Sequence, residues 1–227
     1  MGHDTRSGFK TKECTYMNLL VIGATRGIGR SLVELALDAN HTVTTLVRNP
    51  ERMPVNHDRL NVINGDIRDR EAVSRAVENQ TAVCITIGIH PTRKPVTVFS
   101  EGAKIVIEAM RHSGVKQLIC VTGIGAGDSK NHGGFFYDRI FNPLLLKTIY
   151  EDKDRQEALV RNSNLDWVIV RPGFLTNGPL TGTYRVLVDL EGVRAGKISR
   201  ADVAHFILSE IKEKAYLLKT PLLTWGK

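Results

Sequence analysis

The 227-residue chain has no apolar run near the ~20 residues that a membrane-crossing helix needs. It has no block of consecutive basic residues and no basic stripe interleaved with aromatics. A formal charge of +7 therefore suits an anionic small-molecule ligand better than a nucleic acid or a membrane surface. Cysteine is scarce: Cys14, Cys84 and Cys120 are odd in number and far apart. That spacing excludes a C-x-x-C redox or metal motif, leaves no expected metal site and suits a reducing cytoplasm. Cys84 and Cys120 fall within strand-like runs, which predicts buried packing. No internal repeat and no linker divides the chain. Residues 1–16 are polar and lack the apolar core of a signal peptide, so they read as a flexible tail before one domain at 17–227.

What the chain does have is concentrated in Asn18-Leu19-Leu20-Val21-Ile22-Gly23-Ala24-Thr25-Arg26-Gly27-Ile28-Gly29-Arg30. Four apolar residues predict a strand buried on both faces, three glycines follow, and Ser31 to Leu37 carries a helical pattern. A strand turning through glycines into a helix presents backbone N–H groups and a positive helix end to a phosphate. Gly23 would make the tight turn, Gly27 would let the backbone approach a pyrophosphate, and Gly29 would let the helix pack on the strand. A glycine-rich turn without a ligand would show the same residues, since the spacing is not the common G-x-G-x-x-G.

Behind this stretch, strands are predicted at Thr42–Val47, Leu60–Ile63, Ala82–Gly88, Gln117–Thr122 and Trp167–Val170. Helices are predicted at Glu71–Glu78 with Asp69 as N-cap, Phe99–His112 ending near Gly114, Glu151–Asn162 and Ala201–Glu213. Residues 128–150 interrupt the rhythm as a lid-like insertion whose aromatics could wall a planar acceptor. The tail suggests a hairpin of Gly182–Asp189 with a partner near Gly196–Ile198, then a short apolar piece around Pro221-Leu222-Leu223. The alternation predicts an α/β fold: a Rossmann-like doubly wound, mostly parallel sheet, helices on both faces, in a single domain. Ligands of such sheets sit beyond the carboxyl ends of the strands.

Five segments resemble the atypical short-chain dehydrogenase/reductases, and within them the NAD(P)H-binding proteins similar to biliverdin-IXβ/flavin reductase. They are Gly23-Ala24-Thr25, Leu46-Val47-Arg48, Gly65-Asp66-Ile67, the run Val121 to Ser129, and Leu165-Asp166-Trp167 with Arg171-Pro172-Gly173. The resemblance implies that Asp66 and Ile67 border the adenine and that Gly88 lines the cofactor. It also brings Thr25 and Ile28 of the turn, and Pro172 and Gly173, to the cofactor site. Asp66 has a second reading as a turn residue.

The cofactor choice follows from charge. An NAD site usually carries a carboxylate at the end of strand two, but here Val47-Arg48-Asn49 has none. Arg48, with Arg26 in the turn, would favour the 2′-phosphate of NADP(H) through charge-assisted hydrogen bonds; two solvated surface arginines are the alternative.

The family's Ser, Tyr and Lys are only partly present. Gly123 stands at the usual serine position, with Thr122 just before it as the remaining hydroxyl. Lys153, followed by Glu157, matches the family lysine, which would hold the ribose. Ile149 occupies the tyrosine position, and Tyr150 stands one place late. On a helix Tyr150 and Lys153 still share a face, so a shifted acid role and packing both remain open. Hydride acceptors such as flavins and linear tetrapyrroles can also take their proton from water.

The expectation is thus an NADPH-dependent oxidoreductase acting on a planar or carbonyl-bearing small molecule, as a monomer or homodimer. The alternatives are a cofactor-retaining epimerase or isomerase, and a non-catalytic NADP(H)-sensing protein.

Overall fold

The computed structural model describes residues 16–129, 132 and 146–226. Of the expected tail only Tyr16 is among them, and most of the expected lid lies outside the described residues, as does Cys14.

The first strand, β1 (Asn18–Ile22), lies third in the eight-stranded sheet, paired on both sides. It is followed by α1 (Gly27–Asp38), β2 (Thr42–Val47), β3 (Leu60–Asn64), α2 (Arg70–Val77), β4 (Ala82–Ile85), α3 (Val98–Ser113) and β5 (Gln117–Val121). Then come α4 (Lys147–Arg161), β6 (Asp166–Pro172), β7 (Phe174–Thr176), β8 (Arg185–Leu187), β9 (Lys197–Ser199), α5 (Arg200–Glu213) and β10 (Leu222–Thr224). The main sheet runs β3-β2-β1-β4-β5-β6-β10-β8, parallel except for β8, which pairs antiparallel with β10. This is the doubly wound Rossmann fold, with its strand order reversing between β1 and β4.

Successive residues of β1 point to opposite faces, and each face has its own core. Leu19 and Val21 join Leu32 and Val33 of α1 and Val203 and Ile207 of α5. Leu20 and Ile22 join Val73 of α2 and Val106 and Met110 of α3 on the other face. Cys84 and Cys120 lie buried and free, and burial pushes both thiols up to about 12. Asp69 caps α2 as expected, accepting from the Glu71 and Ala72 N–H groups at 3.0 and 3.1 Å. Gly114 ends α3 in the left-handed region at φ 75°. Among the described residues no helix is long and apolar enough to cross a membrane, and no cluster of His, Cys, Asp or Glu could hold a metal.

The tail departs from the expected hairpin. Arg185–Leu187 pairs with Leu222–Thr224, whereas Lys197–Ser199 pairs parallel with Phe174–Thr176 in a separate two-stranded sheet. The reason is long-range: fully buried Leu222 and Leu223 fill the place beside β6, and this new strand then takes β8 on its outer edge.

Candidate functional site

Register fixes which residues share the carboxyl edge of the sheet. Ile22 of β1 aligns with Leu46 of β2 and Ile85 of β4, Ile85 aligns with Cys120 of β5, and Val121 aligns with Val170 of β6. Gly23, Arg48, Gly88 and Thr122, which follow their strands, therefore share one rim with Arg171 near the end of β6.

The glycine turn is built by close contact. A Cβ on Gly29 would collide with the Gly23 carbonyl oxygen and the Thr86 hydroxyl, which itself donates to the Ile22 carbonyl oxygen at 3.0 Å. Gly27 has φ +63°, a conformation glycine adopts without strain. Helix α1 begins here with no side-chain cap and no acidic residue in its first turn. Its leading N–H groups and the positive helix end are thus available to an anion, which is the arrangement a dinucleotide pyrophosphate requires. Thr25 lies half-buried in the turn, and Ile28 is buried in the core beneath it.

The two arginines expected together diverge. Arg26 leans toward β4, its guanidinium hydrogen-bonding the Gly88 carbonyl oxygen at 3.2 Å and His90 Nε2 at 2.9 Å. The chain leaves the sheet after Ile85, which turns the Gly88 carbonyl into an acceptor across the β1–β4 crevice. Arg48 is exposed at the end of β2, on the opposite flank of β1. It adds to the field holding the Asp66 carboxyl below its ordinary value, though the hydrogen bond from Arg68 is the main cause. Asp66 Oδ1 accepts from the Arg68 N–H at 2.9 Å and from Arg68 Nε at 3.0 Å, so its turn role is realised. Ile67 is buried against Gly102 of α3. Pro172 ends β6, and Gly173 donates to the Leu223 carbonyl oxygen at 2.9 Å; a Cβ on Gly173 would strike the Gly196 carbonyl, which ties this glycine to packing.

At the ends of β5 and β6 the helix α4 buries polar residues where an amphipathic helix would bury apolar ones. Asp152, Lys153, Gln156 and Glu157 all lie inside. Asp152 Oδ2 accepts from the Phe99 N–H at 2.9 Å and so caps α3, while Lys153 Nζ donates to the Thr122 carbonyl oxygen. Glu157 accepts from the Thr122 hydroxyl at 2.7 Å and makes a two-pronged pair with Arg171, at 3.0 Å from Nε and 2.5 Å from Nη2. The Thr122 proton is therefore committed to Glu157, which makes Thr122 a holder of this network. Burial brings the Lys153 ammonium down to about 8. Its Nζ also lies 5.2 Å from the centre of the Phe99 ring. Tyr150, one turn before Lys153, reaches the serine position: a Cβ on Gly123 would lie 3.5 Å from the Tyr150 hydroxyl.

Sequence reading passed over the roles of Asp152 and Arg171 and the burial of Gln156. Their signal was present, because 149, 152, 153, 156, 157 and 160 fall at the spacing of one helix face. Arg200, beside the glycine turn, was also missed.

A doubly wound sheet with an uncapped glycine turn at its rim defines a dinucleotide-binding protein of the Rossmann class. The profile of the NAD(P)H-binding family matches residues 23–214, and the chain belongs to that family. The Bacillus subtilis (strain 168) protein YhfK, named an uncharacterized sugar epimerase, is 29% identical over 204 residues, covering 87% of this chain and 89% of that protein. The solved structure of ChuY, an anaerobillin reductase from Escherichia coli O157:H7, is 24% identical with a TM-score of 0.74, covering 91% of this chain and 96% of that one. A short-chain dehydrogenase/reductase from Veillonella parvula DSM 2008, solved with NADP, is 18% identical with a TM-score of 0.78, over 93% of this chain and 96% of that one. At these identities the two structures establish the shared fold.

Proposed function

We propose that the protein is an NADPH-dependent oxidoreductase of the atypical short-chain dehydrogenase/reductase type, acting in the cytoplasm on a small planar or carbonyl-bearing acceptor of flavin, quinone or tetrapyrrole kind. The observation that carries the reading is the meeting of Tyr150 with Gly123 above the buried Lys153. The dihydronicotinamide, when bound, supplies the hydride. The glycine turn holds the pyrophosphate, and Arg48 takes the 2′-phosphate of NADPH. Lys153 presents an ammonium for the nicotinamide ribose and raises the local positive potential, which favours loss of the Tyr150 proton. Tyr150 would hold its hydroxyl proton where it can be donated to a bound acceptor. Glu157 and Arg171 hold the end of β5 so that Thr122 and Lys153 keep their positions. The names of the Escherichia coli reductase and the V. parvula dehydrogenase point the same way; the B. subtilis name points to an epimerase.

Steady-state NADPH oxidation against flavin, quinone and aldehyde acceptors tests the proposal. Tyr150→Phe is expected to lower turnover about 10²-fold with little change in NADPH affinity, the loss of a positioned acid. Turnover within about threefold of wild type would assign the proton to solvent instead. Tight NADPH binding with no oxidation on any acceptor would contradict the oxidoreductase reading and leave the epimerase or the sensor.

A further inference from the structure

We propose that Arg200 is a cofactor-binding residue: a guanidinium from the C-terminal part of the chain that closes the glycine turn over the NAD(P)H pyrophosphate. The inference rests on the reading that this turn holds the pyrophosphate.

The space beside Gly27 leads to it. A Cβ built on Gly27 would find within 4 Å only the Arg200 side chain, with Nε at 3.7 Å and Cδ at 3.8 Å. Gly27 opens α1 and Arg200 opens α5, so the guanidinium faces the positive end of one helix from the positive end of another. A cation is disfavoured at either end. Among the described residues no carboxylate reaches Arg200; its one hydrogen bond goes from Nη1 to the neutral Asn177 Oδ1, at 2.7 Å. The nearby acid of α5, Asp202, is spent elsewhere. It accepts from the Thr181 N–H at 2.8 Å, the Gly182 N–H at 2.9 Å and Trp225 Nε1 at 2.7 Å. The uncapped, acid-free end of α1 and the Arg200 guanidinium thus meet without an ion pair between Arg200 and any carboxylate among the described residues, while the Asp202 carboxylate in the first turn of α5 is held by Thr181, Gly182 and Trp225. An anion with several oxygens relieves that convergence, and Arg hydrogen-bonds phosphate through its planar fork.

The other two candidate cations are placed differently. Arg26 is engaged with Gly88 and His90. Arg48 stands at the end of β2. Arg200 is the one aimed at the turn itself. The small sheet then has a use: β9 ends at Ser199 and delivers Arg200, while its partner β7 ends at Thr176 and delivers Asn177, which fixes the guanidinium.

The pyrophosphate is common to NADPH and NADH, so the test separates Arg200 from Arg48. Calorimetric titrations use NADPH, NADH and adenosine 2′-phosphate. Arg200→Ala is expected to weaken NADPH and NADH alike by about 10- to 100-fold, the scale for a charge-assisted hydrogen bond, and to leave adenosine 2′-phosphate unchanged. Arg48→Ala should instead weaken NADPH and adenosine 2′-phosphate and spare NADH. Arg200→Lys should restore part of the loss by keeping the charge. The unfolding midpoint of cofactor-free Arg200→Ala should equal or exceed that of wild type. Unchanged affinity for both dinucleotides would overturn the assignment. So would a midpoint that falls in step with affinity, or an equal loss for adenosine 2′-phosphate, since either marks a structural role. Failure of the wild-type protein to bind NADPH would sink the reading of the turn itself, a result separate from the fate of Arg200.

Discussion

Lys153 shows how one buried group ties chemistry to stability. Burial lowers its pKa from 10.5 to about 8, the neighbouring Glu157 opposing that shift. Below pH 8 the folded and unfolded chains both carry the proton, and the burial penalty is fully present. Between pH 8 and 10.5 the unfolded chain binds more protons, so rising pH favours the folded state. The stability of wild type minus that of Lys153→Met, from urea unfolding, should therefore rise through this window by up to about 1.4 kcal/mol per pH unit. The thiols of Cys84 and Cys120, held up near 12, push the opposite way; Cys84 is common to both proteins, and because Cys120 interacts with Lys153 the comparison is made with Cys120→Ala in both. A flat difference would mean that Lys153 titrates normally and is not desolvated under Tyr150.

At the scale of elements, α4 does the most. One face of it caps α3 through Asp152, meets β5 through Lys153 and meets β6 through Glu157. The Glu157–Arg171 pair is buried at both ends, with side-chain exposures of 3% and 0%. Removing Arg171 leaves the buried Glu157 to the partly exposed Arg161, whose Nη2 stands 3.5 Å away, so Arg171→Met should cost toward the lower end of the ~3–5 kcal/mol range for a broken buried pair. The double variant Glu157→Leu/Arg171→Met should cost less than that single change, as measured by denaturant unfolding. Equal or greater loss in the double variant would show that packing, not the stranded charge, dominates. This helix also marks where sequence reading stopped. Strands such as Leu19–Ile22 and the Asp69 cap are local signals, and the structure has them where the residues imply. Beside its local pairs with Arg155 and Arg161, the polar face of α4 finds its buried partners across the fold: Arg171 lies 14 positions from Glu157, and Phe99 lies 53 from Asp152. The tail failed for the same reason, since β10 belongs beside β6 and no local pattern says so.

Across the whole molecule, the family match and the fold make NAD(P)H the ligand around which the rim is arranged, and the carboxyl edge of the sheet divides by role. In the proposed reading the glycine turn, Arg48 and Arg200 would face the phosphates from β1, β2 and α5. Tyr150, Lys153 and Thr122 stand at β5, where hydride transfer is proposed. A ligand that binds only the folded state stabilises it by about 2.7 kcal/mol at a hundredfold excess over Kd. NADPH should therefore raise the unfolding midpoint by several degrees and NADH by less. The most direct measurement is a calorimetric titration of NADPH into the wild-type protein and into Gly27→Val, whose Cβ would enter the turn at φ +63°. Saturable one-site binding to wild type, tighter for NADPH than for NADH and lost in a Gly27→Val protein that still unfolds cooperatively, is the predicted result. No binding to wild type, or equal binding to both proteins, would contradict it.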